Sequence, residues 1–452
     1  MIDERITIDS AQQDALSGAT ALISGIEGSA IVIHGSSGCG WKGRWNRQDQ
    51  ALLNYTPLIA TSLLEYDVVF GGKDKLKRDI EFVIKTWSPE RVFVLIADSG
   101  SLINDPVERV AEEINAEFNI PCIAIDVAGF KGLEATGFDL ALSRILSEFP
   151  QEDVDKKVPA SVNIIAPSLM GSANWVFDLE EIKSLLQQIG LYVNTVVACN
   201  TDLQELRHLA QAEANIYLTS EELLDFATFE REHGLRQIGR DLPLPVGISN
   251  TEEWLTGIAR EFDREDQARK VMAENERRHF LPLRHSYNVT WLLTWLENKY
   301  ALVLGPALWA ASLAKFMYHD LTTFPSVIVL YGESQEAMQR ARAVLADVTE
   351  YYDALILENP AYIEVADAVK QRPVEYAVGQ TQDKSLIEGL GVGHLTLAGL
   401  QTVLGAFNFV PYPWVGHKGL PYLLTMFGKV LEHTFHEPER WRDLRYRRRS
   451  EA

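Results

Sequence analysis

The chain has 452 residues, and its 42 Lys and Arg against 63 Asp and Glu give a formal net charge of −21. This acidic balance argues against a nucleic-acid-binding protein, because neutralising phosphates requires a basic surface. A composition of 46% hydrophobic and 23% charged residues excludes an intrinsically disordered chain. At about 150 residues per domain, the length predicts about three domains, each large enough for its own core.

Cysteine usage and the apolar runs indicate the compartment. Three cysteines, Cys39, Cys122 and Cys199, are too few for a disulfide framework. We therefore expect a reducing, cytoplasmic environment. The N-terminal MIDERITIDS carries acidic residues where a signal peptide needs positive charge. The longest apolar runs are strand-sized, far below the roughly 20 residues of a membrane helix, so we expect no membrane span.

Short β-branched runs bounded by turn residues alternate with helical patterns along the chain, which predicts an α/β fold of mainly parallel sheets flanked by helices. Predicted strands span 30–34, 67–70, 92–97, 122–127, 162–166, 192–197, 216–218, 300–304, 327–330, 354–357 and 376–378. Predicted helices span 73–86, 105–117, 178–189, 252–279, 308–317 and 334–348. The strands are almost continuously apolar, so both faces of each sheet should be covered.

Two stretches predict domain boundaries. Residues 149–163 are polar and contain Pro150 and Pro159, and a long charged helix precedes the strand near Tyr300. We therefore predict domains at 1–150, 151–285 and 286–435, followed by a basic tail at 436–452. The arginines of this tail indicate either a solvated end or a segment that docks onto an acidic neighbour.

The densest local pattern is IVIHGSSGCGWKGRWNRQ, at 31–48, which predicts a strand, a Gly/Ser turn holding Cys39, and a basic aromatic segment. A thiol beside free amide groups and cations is suited to metal ligation or nucleophilic attack. The alternative is a loop cysteine beside an interface. The pattern does not match a phosphate-binding loop.

Other candidate ligands have simpler interpretations. Cys122 and Cys199 lie in or at the end of apolar strands, where cysteine is usually a small buried hydrophobe. His433 and His436 are three residues apart on a predicted C-terminal helix, and two histidines alone do not make a zinc site. We expect both to be surface residues.

Seven motifs, in order, resemble one family, component 1 of nitrogenase and its relatives. They are HGSSGC at 34–39, ATSLLEYDVVFGGKDKL at 60–76, SGSLINDPVERV at 99–110, DVAGFKG at 126–132, PLPVGISNTEEWL at 243–255, LVLGP at 302–306 and WVGHKGLPYLL at 414–424. Together they extend over nearly the whole chain. HGS rather than HGP, and the VGISNTEEWL segment, are more similar to a β-type subunit than to an α-type one.

The resemblance implies three Rossmann-like domains and an α-like partner subunit, in an α2β2 heterotetramer. It also implies an iron–sulfur cluster at the subunit interface, either [4Fe–4S] or P-cluster-like. An ATP-hydrolysing iron protein would dock over this cluster, and no nucleotide would bind to this chain. The family's active-site cofactor lies in the α-type subunit. Here the corresponding NIYLTSEELL has no thiol, so this chain should contribute at most a wall of a substrate pocket.

In the β-type register, the family's three cluster cysteines correspond here to Asp14, Cys39 and Asp98, and the α-type register moves the first position to Gln13. In either register the resemblance leaves one thiolate. In one interpretation, Cys39 ligates the cluster and Asp98 or Asp14 completes the shell. A carboxylate ligand has precedent in relatives that reduce a chlorophyll precursor, and this harder donor favours the ferric state.

In the other interpretation, the aspartates are helix caps or loop residues, and the chain shares a cluster through Cys39 alone or holds none. A buried carboxylate needs a metal or a basic partner. Lys42, Arg44 and Arg47 are candidates for that partner, and they are equally candidates for docking the iron protein.

The resemblance therefore predicts a β-like subunit of a nitrogenase-like reductase, in which electrons pass through the cluster to a substrate. The missing cysteines favour reduction of a C–S bond or a tetrapyrrole over that of dinitrogen. Two alternatives remain open. One is a scaffold for assembly of a metal cluster, and the other is a non-catalytic structural subunit.

Overall fold

A computed structural model describes residues 13–50, 56–398 and 411–436 of the chain, with side chains left out at 44–50, 385 and 431–436. The described residues form three parallel β-sheets, each flanked by helices. Parallel sheets with helices on both faces require strands that are apolar on both sides, as the sequence predicts.

The first sheet has four parallel strands in the order β2-β1-β3-β4. Its strands are β1 Ser29–His34, β2 Leu58–Ala60, β3 Arg91–Ile96 and β4 Cys122–Asp126. Its helices are α1 Ala15–Ser24, α2 Ser37–Gln50, α3 Glu65–Phe70, α4 Lys73–Trp87, α5 Asp98–Leu102, α6 Val107–Phe118 and α7 Glu134–Glu148. On α4 the side chains at 76, 80, 83 and 84 are buried, the spacing of one helix face.

The second sheet also has four parallel strands, in the order β6-β5-β7-β8. Its strands are β5 Ser161–Ile165, β6 Tyr192–Val197, β7 Ala214–Tyr217 and β8 Arg236–Ile238. The helices of this part are α8 Trp175–Gln188, α9 Leu203–Arg207, α10 Leu224–His233, α11 Ser249–Arg260 and α12 Glu265–Asn275.

The third sheet has five parallel strands, in the order β11-β10-β9-β12-β13. Its strands are β9 Tyr300–Pro306, β10 Phe324–Tyr331, β11 Leu355–Glu358, β12 Tyr376–Gln380 and β13 Gly393–Ala398. The helices are α13 Leu281–Arg284, α14 Tyr287–Leu296, α15 Ala307–Leu321, α16 Gln335–Val344, α17 Ala346–Tyr351, α18 Tyr362–Gln371, α19 Thr381–Gly389 and α20 Gly416–His436.

The three sheets share cores. One apolar cluster joins residues of the second and third sheets through α15, whose Trp309 and Phe316 are fully buried, and a second cluster joins the first and second sheets. Buried Asp178 accepts hydrogen bonds from Trp414 N at 2.6 Å and Val415 N at 3.3 Å, which holds the start of α20 against α8. Each sheet falls within one predicted segment, and the boundaries at 150 and 285 stay predictions.

The predicted α/β class is confirmed, with three errors in detail. Residues 67–70 form part of the exposed helix α3 rather than a strand, because Asp67 accepts the N–H of Leu64 and caps the turn. The helix predicted at 252–279 is interrupted after Arg260, where Asp263 adopts a φ of 55° in the left-handed region. The sequence prediction also omits β2, β8 and β13.

Among the described helices, none combines the length and the apolar character that crossing a bilayer requires.

Candidate functional site

The predicted HGSSGC loop lies at the carboxyl end of β1, where the chain turns through Gly35 into α2. Gly35 N donates to Thr61 Oγ1 at 3.1 Å, and Gly35 O accepts from Leu63 N at 2.9 Å. A Cβ at Gly35 would lie 2.8 Å from Ala97 Cβ and 3.6 Å from Cys39 Sγ. The absence of a side chain at Gly35 therefore lets the loop carrying Cys39 pack against the end of β3.

Cys39 lies in the first turn of α2 as a half-buried free thiol. Its Sγ is 3.4 Å from Ser36 Oγ. The other two cysteines differ. Cys122 is buried on β4, where burial raises the pKa of its thiol to about 12, and burial likewise raises the pKa of Cys199 to about 11. Both thiols are therefore protonated at neutral pH, which does not suit metal ligation.

Asp14 and Asp98 lie on the same edge and flank Gly129. A Cβ at Gly129 would lie 3.1 Å from Asp14 Oδ2 and 3.3 Å from Asp98 Oδ1. Asp98 is followed by Ser99, whose Oγ would lie 3.6 Å from a Cβ at Gly35. Cys39 Sγ would lie at the same distance from that Cβ. The structure thus brings the three predicted ligand positions to one edge of the first sheet.

Both carboxylates already have partners within the chain. Asp14 is the N-cap of α1, where its Oδ1 accepts from Ser17 N at 3.1 Å, and its Oδ2 pairs with Lys42 Nζ at 2.7 Å. Asp98 Oδ1 accepts from Gly129 N at 2.6 Å. These contacts match the interpretation of Asp14 as a cap and Lys42 as its basic partner.

The described residues contain no group of three or more His, Cys, Asp or Glu side chains that could hold a metal ion. Iron–sulfur clusters of the usual kinds take four protein ligands. Among the described residues of this edge Cys39 is the one free thiol, so the donor set fits a single ligand position of such a cluster.

The predicted basic residues near Cys39 are only partly described. Lys42 is engaged with Asp14, and its side chain is about one-third exposed. Arg44 and Arg47 lie on α2, with side chains outside the described set. The arginine-rich tail at 437–452 also lies outside the described residues, as do the side chains of His433 and His436.

Behind the loop lies a buried pair that sequence reasoning missed. His34 Nε2 lies 2.8 Å from Asp105 Oδ2, and the same oxygen accepts from Gly72 N at 2.8 Å. Burial lowers the pKa of His34 despite the opposing effect of Asp105. Both residues belong to motifs of the family resemblance, but they are 71 positions apart, and no spacing rule predicts their contact.

Large apolar side chains surround this edge and face solvent. We call them the apolar rim, and each is at least 62% exposed: Trp41, Leu64, Tyr66, Val69, Phe70, Leu102 and Phe130. They lie on α2, α3 and α5, at the N-cap of α3, and beside Gly129. Exposed apolar side chains on this scale are typical of a protein–protein interface.

Known proteins match this chain over most of its length. The family model described as Nitrogenase component 1 type Oxidoreductase matches residues 15–431. The nitrogenase molybdenum-iron protein alpha chain of Methanosarcina barkeri is 25% identical over 59% of this chain and 51% of its own length. The nitrogenase iron-molybdenum cofactor biosynthesis protein NifE of Rhodobacter capsulatus is 27% identical over 54% of this chain and 50% of its own.

The nitrogenase molybdenum-iron protein beta chain of Methanothermobacter marburgensis is 20% identical over 94% of both chains. This chain thus spans about half the length of the first two relatives and most of the third. The solved structure titled Nitrogenase Cp1 at pH 6.5 has a TM-score of 0.76 at 18% identity, covering 95% of this chain and 94% of its own. With that shared fold and a family match over most of its residues, the chain belongs to the nitrogenase component 1 type oxidoreductase family.

Proposed function

We propose that this chain is the β-like subunit of a nitrogenase-like reductase that acts in the cytoplasm. An iron–sulfur cluster shared with an α-like subunit would supply one-electron transfer between an ATP-hydrolysing iron protein and the substrate. The observation that carries the proposal is the position of Cys39, a free, half-buried thiol among exposed apolar side chains. The proposed substrate is a C–S bond or a tetrapyrrole rather than dinitrogen.

Cys39 is the residue that would hold the cluster from this side. It lies in the first turn of α2, where amide N–H groups are free to donate toward sulfur. Asp14 and Asp98 stay predicted ligands, but Cys39 is the better candidate, because each aspartate would have to give up a hydrogen-bond partner to bind iron. Asp14 would lose Lys42, and Asp98 would lose the N–H of Gly129.

The apolar rim supports an α-like partner seated over this edge in a heterotetramer. Burying it would remove water from around Cys39 and strengthen electrostatic interactions there. Lys42, Arg44 and Arg47 remain the proposed docking cations. The ion pair between Lys42 and Asp14 fixes the direction of the Lys42 side chain.

A scaffold for cluster assembly is the second candidate, and the relatives named as cofactor biosynthesis proteins support it. In that case the same edge would hold a cluster precursor before transfer. A structural subunit without a cluster is the third candidate, and it is supported because the described residues contain no group of three or more His, Cys, Asp or Glu that could hold a metal.

Turnover separates these candidates. The purified complex should be supplied with iron protein, ATP and dithionite, and ATP hydrolysis and product should be measured with methylthio compounds and tetrapyrrole precursors. A reductase consumes ATP and forms product, whereas a scaffold transfers iron to an apo-acceptor without turnover. Iron and labile sulfide near zero in the wild-type complex would contradict both metal-bound candidates.

A further inference from the structure

Another exposed apolar surface lies on α14, far in sequence from the apolar rim. This helix has the sequence YNVTWLLTWL, and Leu296 is the one residue of this fully described helix that is buried. Tyr287, Trp291 and Trp295 are 73%, 47% and 43% exposed. A helix of a globular protein normally buries its apolar face against the rest of the chain. An apolar helix that stays at the surface is typical of a protein–protein interface.

The three exposed aromatic side chains of α14 form one row, which we call the aromatic row. They are spaced four residues apart, so they lie one above another on the same side of the helix. The ring centroids of Tyr287 and Trp291 are 6.0 Å apart, and those of Trp291 and Trp295 are 6.3 Å apart. A row with this spacing is a ridge that packs between the side chains of a facing helix. No residue from 287 to 296 is charged, and the cores of interfaces are likewise poor in charge and rich in Trp and Tyr.

A groove runs beside the aromatic row, with a volume of about 1040 Å³ including the part open to solvent. Leu420 and Leu424 of α20 line one side of it. Thr290 and Thr294 line it from α14, and each is three residues beyond a member of the aromatic row, so row and groove are neighbours. A surface that carries a ridge next to a groove can fit a copy of itself, because a two-fold axis sets each ridge against the other groove.

The charges at the two ends of α14 also match a copy of the same surface. Arg284, just before the helix, and Glu297, just after it, are exposed and line the same groove. A two-fold axis near Trp291 reverses the direction of α14 in the second copy. Arg284 of each copy then faces Glu297 of the other, so the axis creates two pairs of opposite charge.

We propose that two copies of this chain pair through this face, with their α14 helices antiparallel about a two-fold axis. Each aromatic row packs into the groove of the other copy. At about 200 Å² per aromatic residue, the exposed part of the row supplies about 300 Å² per copy. A stable interface needs about 800 Å² per partner, so the walls of the groove on α13 and α20 are covered as well.

The inference goes beyond the proposed function. The proposed heterotetramer contains two β-like chains but does not state which surface joins them. Contact through α14 requires neither Cys39 nor iron, so each proposal can fail without the other.

The number of copies in the purified protein tests this pairing. Sedimentation velocity is run on the protein with any subunits that copurify, and iron is measured in the same samples. Wild type should contain two copies of this chain. Trp291→Glu places a charge in the centre of the interface and should give particles with one copy and about half the mass. Tyr351→Glu, at an aromatic residue that is 74% exposed on α17, is the control and should keep the wild-type mass.

A single copy in wild type, or two copies in Trp291→Glu, would overturn the proposal. Loss of another subunit from Trp291→Glu, with two copies of this chain still joined, would assign the face to that subunit and would also overturn it. Absence of iron from a wild-type particle with two copies would contradict the proposed cluster and leave the pairing supported.

Charge reversal shows whether the contact joins two copies. Arg284→Glu or Glu297→Arg alone sets like charges against each other at both ends, and each should weaken pairing about tenfold, measured by sedimentation over a dilution series. When the two variants are mixed, each chain complements the other at both ends. The mixture should therefore pair with nearly the wild-type dissociation constant. A mixture that pairs no better than either variant alone would overturn the two-fold arrangement.

Discussion

Two places where parallel strands end differ sharply in chemistry. The edge around Cys39 is open, carries a free thiol and two paired carboxylates, and is surrounded by the apolar rim. The cleft between the second and third sheets is lined by amides, an indole and carboxyls, with no thiol, imidazole or cation among its described residues. The two strand-end sites thus offer different side chains to whatever approaches them.

The two places also differ in how far the described part of the chain builds them. At the Cys39 edge the described part of the chain brings together no group of three or more side chains that could hold a metal ion. The walls of the cleft are held to one another by Glu333, which accepts from Leu133 N, and by the close approach of Gly171 to Pro306. Changes at the cleft should therefore leave the metal content of the complex intact.

The largest expected effect on stability comes from Glu333→Ala. This change leaves two backbone N–H groups and the Thr136 hydroxyl without their charged acceptor, and it should lower the free energy of unfolding by about 3 kcal/mol. Urea denaturation measures the loss. The iron content of the complex should not change.

Glu350→Ala, at an exposed position on α17, is the matched control. Surface substitutions of this kind change stability by less than about 0.5 kcal/mol. Equal destabilisation by the two variants would contradict the role of Glu333 in holding the cleft.

The second effect depends on pH. The folded Glu221 carboxyl keeps its proton up to about pH 7, whereas the unfolded one loses it near its ordinary pKa of 4.5. Relative to Glu221→Gln, the wild type should therefore lose about 2 kcal/mol of stability as the pH rises from 5 to 8. Urea midpoints of both proteins across this range measure the difference, and parallel curves would contradict it.

His34, beside the Cys39 edge, should show the opposite sign. Its folded pKa lies below the ordinary 6.5, so the unfolded chain takes up the proton first as the pH falls. Relative to His34→Gln, the wild type should lose stability as the pH falls through 6.5. A constant difference between the two proteins from pH 8 to 5 would contradict the buried, neutral state of His34.

The smallest effect is expected at Asp14. Asp14→Ala removes the N-cap of α1 and should cost about 1 kcal/mol, whereas Asp14→Asn keeps a capping side chain and should cost less than about 0.5 kcal/mol. The partly exposed pair with Lys42 contributes at most about 1 kcal/mol. An altered cluster spectrum in Asp14→Asn would instead assign Asp14 as an iron ligand.

Much of the fold could be predicted because buried parallel strands are continuous apolar runs. β3 and β10 are found within a few residues of their predicted bounds. The prediction of a strand at 67–70 fails because Val69 and Phe70 are apolar yet exposed on α3, so hydrophobicity there does not mark a buried strand. Short edge strands such as β8, with the sequence RQI, contain too few apolar residues to be recognised as strands.

The candidate site could be predicted only where one segment carries it. Cys39 lies in a single dense motif, and its place at the strand end follows from that motif. His34 pairs with Asp105, although the two lie far apart in the sequence. Trp175 and Gln380 likewise line one cleft from distant segments. Only tertiary packing decides such contacts, so local sequence patterns do not reveal them.

The most direct test of the central claim is the electron paramagnetic resonance spectrum of the dithionite-reduced complex, with iron quantified in the same samples. Cys39→Ala should abolish or strongly weaken the cluster signal and lower the iron content, while the complex still assembles. Cys199→Ala, at a half-buried thiol far from the apolar rim in sequence, should match wild type. A spectrum and iron content unchanged by Cys39→Ala would contradict ligation by Cys39.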